Sequence, residues 1–367
     1  MKFIFGREIT DPEDFYDRVE ELNILTNALR DLQPIAVIGY RRLGKSSLLN
    51  VALKLIGEDF ITVKVSLEGV RTIRQFIDLY AGSVLTEAVR RSFKLRVRSV
   101  MASVRDYLHE LLGAVREVGV RVGSLEFYVR LYTDLVDGRV NAIEALREFL
   151  DMPQRIAEEL GRRVVVVLDE FQQVRFLKQP YPDILRLMRS RWQGHGMVGY
   201  AIAGSEVGIM RELLGRNDEP FFAFFRVMEL KPFSREVSTS FLRDGLREYG
   251  ITCPEEILER AYELTGGFPA WLNLVGMNIV ERGCEAWNIL SEPTVRVVIE
   301  AELKGLTQAQ ITMLKALARG VDVTKAGVNK PNRVLNELIN KGLVERRGWG
   351  EYEIVDPILR NYLAQQQ

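Results

Sequence analysis

A lysine and a serine follow two glycines at the spacing that proteins use to hold phosphate groups. Residues 39–46 read GYRRLGKS, and four apolar residues, Ile35–Ile38, precede them. Glycine permits positive φ values and close approach of the backbone to a ligand, and N–H groups at the start of a helix attract anions. Lys45 would reach the β- and γ-phosphates of a nucleotide, and the Ser46 hydroxyl would bind Mg²⁺. The spacing therefore predicts a Walker A motif, called the phosphate loop below, with nucleotide-binding residues Gly39, Tyr40, Arg41, Arg42, Leu43, Gly44, Lys45, Ser46 and Ser47.

Two carboxylates end a second apolar run. Residues 163–170 read RVVVVLDE, and the continuous apolar stretch indicates a parallel strand that is covered on both faces. Asp169 and Glu170 stand at its carboxyl end, where open α/β sheets bind their ligands. We expect Asp169 to hold Mg²⁺ through water and Glu170 to orient and deprotonate the attacking water molecule. Together the two motifs predict hydrolysis of ATP; GTP is disfavoured because the sequence has no Asn-Lys-x-Asp guanine box.

Length and composition limit the other possibilities. The 367 residues suffice for two or three domains, and 47% hydrophobic with 27% charged residues is typical of a globular protein. Lys and Arg total 50, as do Asp and Glu, so any contact with nucleic acid must be local. Two cysteines, Cys253 and Cys284, predict no disulfide framework and a reducing compartment. The opening MKFIF is too short for a signal sequence and no run could span a membrane, so we expect a cytoplasmic protein.

The motifs in combination resemble the archaeal ATPases of the STAND class, which are signal-transduction ATPases related to AAA+ proteins. The resemblance covers essentially the whole chain and is carried by Phe15-Tyr16-Asp17-Arg18 followed by Glu21-Leu22, by GYRRLGKSSLL and by LDEFQ. It implies that the helix beginning near Val19 lies beside the nucleotide, with Arg18 close to the base or ribose. The alternative for Arg18 is a surface ion pair with Glu21 that contributes little.

The resemblance implies further site residues. Ser205 follows the apolar run MVGYAIA, where related enzymes keep a sensor of the γ-phosphate or the attacking water; the alternative is a helix N-cap. Arg226 precedes another strand and resembles an arginine finger or sensor, acting in its own subunit or in a neighbour of an ATP-dependent homo-oligomer; the alternative is an arginine paired with an acid. Gly266, Gly267 and Pro269 resemble the turn of a helical lid that closes over the nucleotide, or form only a corner between helices.

More than a hundred residues separate the two motifs, and their pattern predicts an inserted helical subdomain at about 70–160. Within it, period-2 alternation over Val118–Leu131 predicts a hairpin or bulged strand. A run without acids follows Glu87, and it either contacts an anionic partner or is a solvated helix face. The basic residues of this run are Arg90, Arg91, Lys94, Arg96, Arg98 and Arg105.

The last sixty or so residues predict three helices and a small hairpin that turns at Gly348-Trp349-Gly350, a pattern typical of a winged helix-turn-helix. Such a unit would contact double-stranded DNA through Arg333, Arg346, Arg347 and Trp349. The alternative is a module that contacts a protein partner or inhibits the ATPase.

We therefore expect an α/β P-loop NTPase of the ASCE/AAA+-like type, built on a parallel sheet. The expected domains are an ATPase domain over residues 1–232, a helical lid over 233–303 and a winged helix over 304–367. The predicted function is an ATP-hydrolysing molecular switch. Two alternatives remain open, a DNA-loading or DNA-remodelling AAA+-type ATPase and a nucleotide-binding scaffold with negligible turnover.

Overall fold

Five parallel strands form the sheet at the centre of the protein. The computed structural model describes residues 2–93, 105, 108–110, 112–113, 123–177, 181–348 and 350–366. Across the sheet lie the second, third, fourth, first and fifth of these strands in chain order, and every neighbouring pair runs parallel. The predicted α/β P-loop fold is thus confirmed. The strands are β1 Ile35–Ile38, β2 Phe60–Ser66, β3 Arg163–Asp169, β4 Val198–Gly204 and β5 Arg226–Glu229.

Burial of the strands explains their apolar sequences. Every residue of β1 and β4 is buried, whereas the edge strand β5 buries only Met228. Helices cover both faces, because a parallel sheet needs a crossover after each strand. One face packs against the helices between residues 73 and 215, and the other against the helices over residues 19–30 and 45–55. These helices are α1 Val19–Arg30, α2 Lys45–Leu55, α3 Ile73–Phe93, α4 Gly123–Val136, α5 Ala142–Leu160, α6 Tyr181–Trp192 and α7 Val207–Gly215.

The predicted hairpin at Val118–Leu131 is wrong for the part that the structure describes, since residues 123–131 lie in the helix α4. Residues 118–122 lie outside the described residues. Leu125, Tyr128 and Val129 are buried, a spacing of three and four residues that places one stripe against α5. Phe127, which the alternation pattern placed on the same side as Leu125 and Val129, is 42% exposed. Packing against α5 therefore selected the helical stripe from a sequence that fits both periods.

The basic run is balanced by acids where the structure describes it. Arg90 and Arg91 both contact Glu87, and Arg105 pairs with Asp137 at 3.1 Å. Lys94, Arg96 and Arg98 lie outside the described residues. The paired residues favour the solvated-face interpretation, because each has a neighbouring carboxylate that an anionic partner would have to displace.

The rest of the chain is helical apart from one hairpin. Val344 pairs with Ile354 across the two antiparallel strands, and Trp349 at the turn lies outside the described residues. Among the described helices, none is both long and apolar enough to cross a membrane. The elements are α8 Arg235–Arg247, α9 Glu255–Thr265, α10 Pro269–Arg282, α11 Pro293–Lys304, α12 Gln308–Ala318, a 3₁₀ turn Val323–Lys325, α13 Pro331–Asn340, β6 Val344–Gly348, β7 Glu351–Ile354 and α14 Pro357–Gln365.

The two cysteines form a disulfide, so the expectation that they make no disulfide framework is wrong. Cys253 precedes α9 and Cys284 follows α10, with a Cα–Cα distance of 5.6 Å and a sequence separation of 31. Helices α9 and α10 run back along each other and bring the two ends of this segment together. Cysteine count and spacing could not reveal this pairing, because it depends on how the two helices fold back.

Removing this disulfide should lower stability. A crosslink that closes a loop of 31 residues restricts the unfolded chain and contributes about 3 to 4 kcal/mol in the chain-entropy model. We expect Cys253→Ser with Cys284→Ser to lower the free energy of unfolding by about that amount in urea titrations. Uptake of alkylating reagent by unreduced, denatured protein would contradict the disulfide itself.

Candidate functional site

A cavity of about 420 Å³ opens at the carboxyl end of the central strands. It lies between the phosphate loop, the N-terminal residues and the start of α10. Its walls include segments 4–9 and 41–48 together with Pro269, Ala270 and Asn273. This is the edge at which open α/β sheets bind ligands, and the volume is in the range of small-molecule sites.

The phosphate loop adopts the backbone conformation that its glycines allow. Gly44 has φ of 86° at the N-cap of α2, and the N–H groups at the start of a helix attract anions. A Cβ on Gly39 would come within 2.8 Å of the Leu230 carbonyl oxygen, so only glycine fits beside the end of β5. The Lys45 side chain is buried and donates to the Tyr40 carbonyl at 2.8 Å. Burial lowers the pKa of Lys45 to about 8, against the opposing pull of Glu170 and Asp169.

The residues predicted to hold a metal are in contact. Ser46 Oγ donates to Asp169 Oδ2 at 2.7 Å, and the Glu170 N–H donates to Asp169 Oδ1 at 3.0 Å. A hydroxyl and a carboxylate are hard oxygen donors, and Mg²⁺ commonly takes one or two protein oxygens while phosphates and water supply the rest. The donor set therefore fits Mg²⁺ bound together with a nucleotide. Lys64 of β2 lies 3.4 Å from the same Asp169 Oδ2.

Glu170 is held by two side chains. Its backbone is left-handed, with φ of 55°, and its Oε2 accepts from Ser205 Oγ at 2.7 Å and from Gln172 Nε2. Ser205 makes no helix cap, because α7 begins after Glu206 and has no side-chain cap hydrogen bond. Sequence reasoning missed Gln172, although it lies within LDEFQ; its complete burial is the property that the letters do not show.

Arg18 lines the cavity and is 6% exposed, so the alternative ion pair with Glu21 does form, but it is buried and not on the surface. Its guanidinium donates to Glu21 at 2.9 Å and to the Lys231 carbonyl, and it lies 4.7 Å from the centre of the Phe233 ring. The contacts with Lys231 and Phe233 bind the start of α1 to the segment that follows β5. They orient Arg18 at the cavity wall.

Arg226 does not reach the site of its own chain. It is the first residue of β5 and pairs with Ile35, the first residue of β1, whereas the phosphate loop begins after the last residue of β1. Because parallel strands place their starts at the same edge, Arg226 lies at the edge opposite the cavity. The prediction of a sensor in its own subunit is therefore wrong; action on a neighbouring copy stays a prediction.

The glycines before α10 also face elsewhere. A Cβ on Gly266 would come within 2.6 Å of Pro357, and one on Gly267 within 2.1 Å of the Phe233 carbonyl oxygen. Neither residue lines the cavity, whereas Pro269 does. The turn is tight because two backbones pass close together, and the expectation that both glycines contact the nucleotide is wrong.

An N-terminal segment covers one side of the cavity, and sequence reasoning missed it. The Ile4 N–H donates to Asn273 Oδ1 at 2.6 Å, and the Ile9 N–H donates to Ser47 Oγ at 3.0 Å. We call residues 4–9 the N-terminal strap. It has no regular secondary structure and therefore no periodicity from which its position could be predicted.

The phosphate loop also contacts the C-terminal part of the chain. Arg42 donates to Asp356 Oδ2 at 2.7 Å and to Glu302 Oε2 at 2.9 Å, and its guanidinium lies 4.9 Å from the Trp271 ring centre. Burial would lower the pKa of Arg42, but the charges of Glu302 and Asp356 outweigh this effect and raise it. Tyr40, which points away from the cavity, donates to Glu345 Oε2 at 3.0 Å.

Comparison with known proteins identifies the class of this site. A family model for an ATPase domain predominantly from Archaea matches residues 15–275. The chain resembles the Walker-type ATPase paby2304 of Pyrococcus abyssi, with 23% identity and a TM-score of 0.72 over 98% of each chain. It also resembles the Aeropyrum pernix ORC2 protein solved as ADPNP-ADP complexes, with 15% identity and a TM-score of 0.52 over 98% of each chain. These identities show the fold alone, and no curated protein matches significantly.

Replacing Ser205 tests whether its bond to Glu170 matters for chemistry. We expect Ser205→Ala to lower the rate of ATP hydrolysis by about tenfold, because one of the two donors that orient the carboxylate is lost. The dissociation constant for ADP, measured by calorimetry, should stay unchanged. A matching loss of ADP affinity would instead indicate that Ser205 supports the pocket as a whole.

Proposed function

The chain belongs to the family of ATPase domains found predominantly in Archaea, and on that premise we propose that it is an ATP-driven molecular switch of the STAND class. ATP hydrolysis follows from the family. The switch rests on one observation: Arg42 within the phosphate loop is bonded to Glu302 of α11 and to Asp356 at the start of α14. A residue whose backbone would contact phosphate is thus tied by its side chain to the C-terminal helices.

The contacts support one assignment of roles in hydrolysis. Lys45 and the backbone of the phosphate loop bind the polyphosphate of ATP and stabilise the charge that develops on the transferred group. Ser46 and Asp169 would hold Mg²⁺, which supplies further positive charge to the phosphates. Glu170 orients the attacking water and accepts its proton, and Ser205 and Gln172 fix the position of that carboxylate.

The loop and the C-terminal part meet over several consecutive residues. Tyr40 contacts Glu345 of β6, and Arg41 lies 3.7 Å from Glu302, which also accepts from Arg42. A Cβ on Gly342 would come within 3.0 Å of the Ser205 carbonyl oxygen. The turn after α13 therefore lies directly against the end of β4, where Ser205 orients Glu170. A bound phosphate that shifts the loop would alter these contacts. Two sites are coupled when such contacts differ between the ligand-bound and the ligand-free state, so nucleotide binding would be coupled to the C-terminal part.

Two substitutions separate binding from chemistry. Lys45→Ala should weaken ATP binding and hydrolysis together, because the lost charge faces phosphate in the ground state and in the transition state.

Glu170→Gln should keep ATP binding but lower turnover by about 10²- to 10⁴-fold, because an amide cannot take the proton. Calorimetry and phosphate release measure the two quantities, and Lys54→Ala on the exposed side of α2 is the matched lysine control.

A Glu170→Gln variant with the wild-type rate would remove Glu170 from the mechanism. If the wild-type protein itself binds ATP tightly and releases no phosphate above background, the alternative of a scaffold without turnover would hold instead.

Loosening the C-terminal contacts tests the switch. We expect the double variant Tyr40→Phe with Glu302→Gln to raise basal hydrolysis by about two- to tenfold, since the loop would rearrange around phosphate more easily. Removing residues 304–367 is a poorer test, because Leu335 and Leu359 belong to an apolar core shared with α1 and α10, and their loss would expose the apolar side chains of those two helices.

Glu337→Gln is the matched control for this double variant. It removes a carboxylate that pairs with Arg333 on the same C-terminal unit and leaves the phosphate loop untouched. Equal effects of control and double variant, or a slower rate in the double variant, would contradict inhibition through the loop.

Double-stranded DNA is a second candidate partner, in line with the loading or remodelling alternative. Arg333 of α13 and Arg346 of β6 are exposed, which favours contact with phosphate. Arg333 pairs with Glu337, however, and Arg347 pairs with Glu345 and Glu353, so binding must first displace acids. Adding duplex DNA to the hydrolysis assay at several salt concentrations distinguishes this partner, because phosphate contacts make affinity fall steeply with salt.

A further inference from the structure

Lys64 has an unusual place beside the proposed metal site. It extends from β2, the strand next to β3, and its ammonium lies 3.4 Å from Asp169 Oδ2 and 2.7 Å from Glu8 Oε2. It also donates to Asn50 Oδ1 at 3.1 Å and to the Ser46 carbonyl at 3.4 Å. Both residues proposed to hold Mg²⁺ therefore contact the same ammonium group.

Charge balance explains why a lysine is stable there. Asp169 is 3% exposed, and a buried carboxylate is costly unless a cation or several hydrogen bonds compensate it. Among the described residues, Lys64 is the basic side chain that forms an ion pair with Asp169. Mg²⁺ held by Ser46 and Asp169 would place a second cation at this carboxylate, and two cations repel each other at short range.

The second anion of Lys64 comes from the N-terminal strap. Glu8 Oε2 accepts from Lys64 and from Asn50, each at 2.7 Å. The next residue of the strap, Ile9, is bonded to Ser47. Glu8 thus offsets the charge of Lys64, and it does so from the segment that covers the cavity.

We propose that Lys64 is a built-in cation of the metal site, a positioning residue that holds Asp169 in the absence of metal and limits how much Mg²⁺ strengthens nucleotide binding. Glu8 of the N-terminal strap counteracts it by neutralising part of its charge. This inference rests on the proposed function, because it assumes that nucleotide and Mg²⁺ meet at Ser46 and Asp169. According to this proposal, Lys64 and Glu8, which lie outside the recognised motifs, set how much Mg²⁺ strengthens nucleotide binding.

The test compares ADP binding with and without metal. The dissociation constant for ADP is measured by calorimetry in EDTA and in saturating Mg²⁺. The constant in EDTA divided by the constant in Mg²⁺ reports how much Mg²⁺ strengthens binding. Lys64→Met keeps the length of the side chain and removes its charge, so the ratio should rise by about tenfold, a typical coupling between two bound charges. Glu8→Gln removes the offsetting anion, so the ratio should fall by about threefold, less because Glu8 is half exposed.

Opposite shifts are the signature of this charge balance. Loss of packing in either variant would weaken ADP binding in both buffers and leave the ratio unchanged. Lys64→Arg keeps the charge and should keep the wild-type ratio. Glu8→Gln leaves Lys64 in place, so its ratio allows a conclusion even if Lys64→Met does not fold. Lys54→Met is the matched control, because Lys54 pairs with Asp11 at 3.4 Å near the same N-terminal region but away from Asp169.

Shifts in the same direction, or an unchanged ratio in both Lys64→Met and Glu8→Gln, would overturn the role of Lys64. The proposed function would survive that result as long as wild-type ADP binding responds to Mg²⁺. If the wild-type protein binds no ADP in either buffer, the proposed nucleotide site itself fails.

Discussion

Compensation of buried charge is the constraint on which the site depends. Lys45 and Asp169 are almost fully removed from water at the same edge of the sheet, and such groups persist in a folded protein only when partners replace their hydration. Lys45 is held by the Tyr40 carbonyl, and Asp169 by Ser46, Lys64 and a backbone N–H. The groups that satisfy these charges are the ones that a nucleotide and its metal would rearrange. The side chains of the site are therefore already in place at this edge of the sheet, and their contacts would change when nucleotide and metal bind.

The same constraint extends to the C-terminal part of the chain. Arg42 is partly buried by its contact with Trp271, and its charge is met by Glu302 and Asp356, which lie far along the sequence. Breaking one member of such a cluster leaves the others without compensation, so we expect its contacts to form and break together. This behaviour suits a device with two states better than one that adjusts gradually.

Apolar packing complements these contacts. The face of the sheet that bears α1 and α2 shares one core with the helices that follow β5, and this core includes Trp271, Leu335 and Leu359. The opposite face has its own core, built with the inserted helices. A change at the phosphate loop therefore has a direct route to the C-terminal helices through this shared core.

Local sequence was sufficient for the parts whose chemistry is local. The spacing of Gly39, Gly44, Lys45 and Ser46, and the run of valines before Asp169, predicted the loop, its strand and the fold, because a phosphate loop needs those residues in that order. Four features depended on residues distant in sequence: the partners of Arg42, the position of Lys64 beside Asp169, the Cys253–Cys284 disulfide, and the placement of Arg226 at the far edge. Strand order and helix packing decide which distant residues meet, and neither is encoded in the spacing of a single segment.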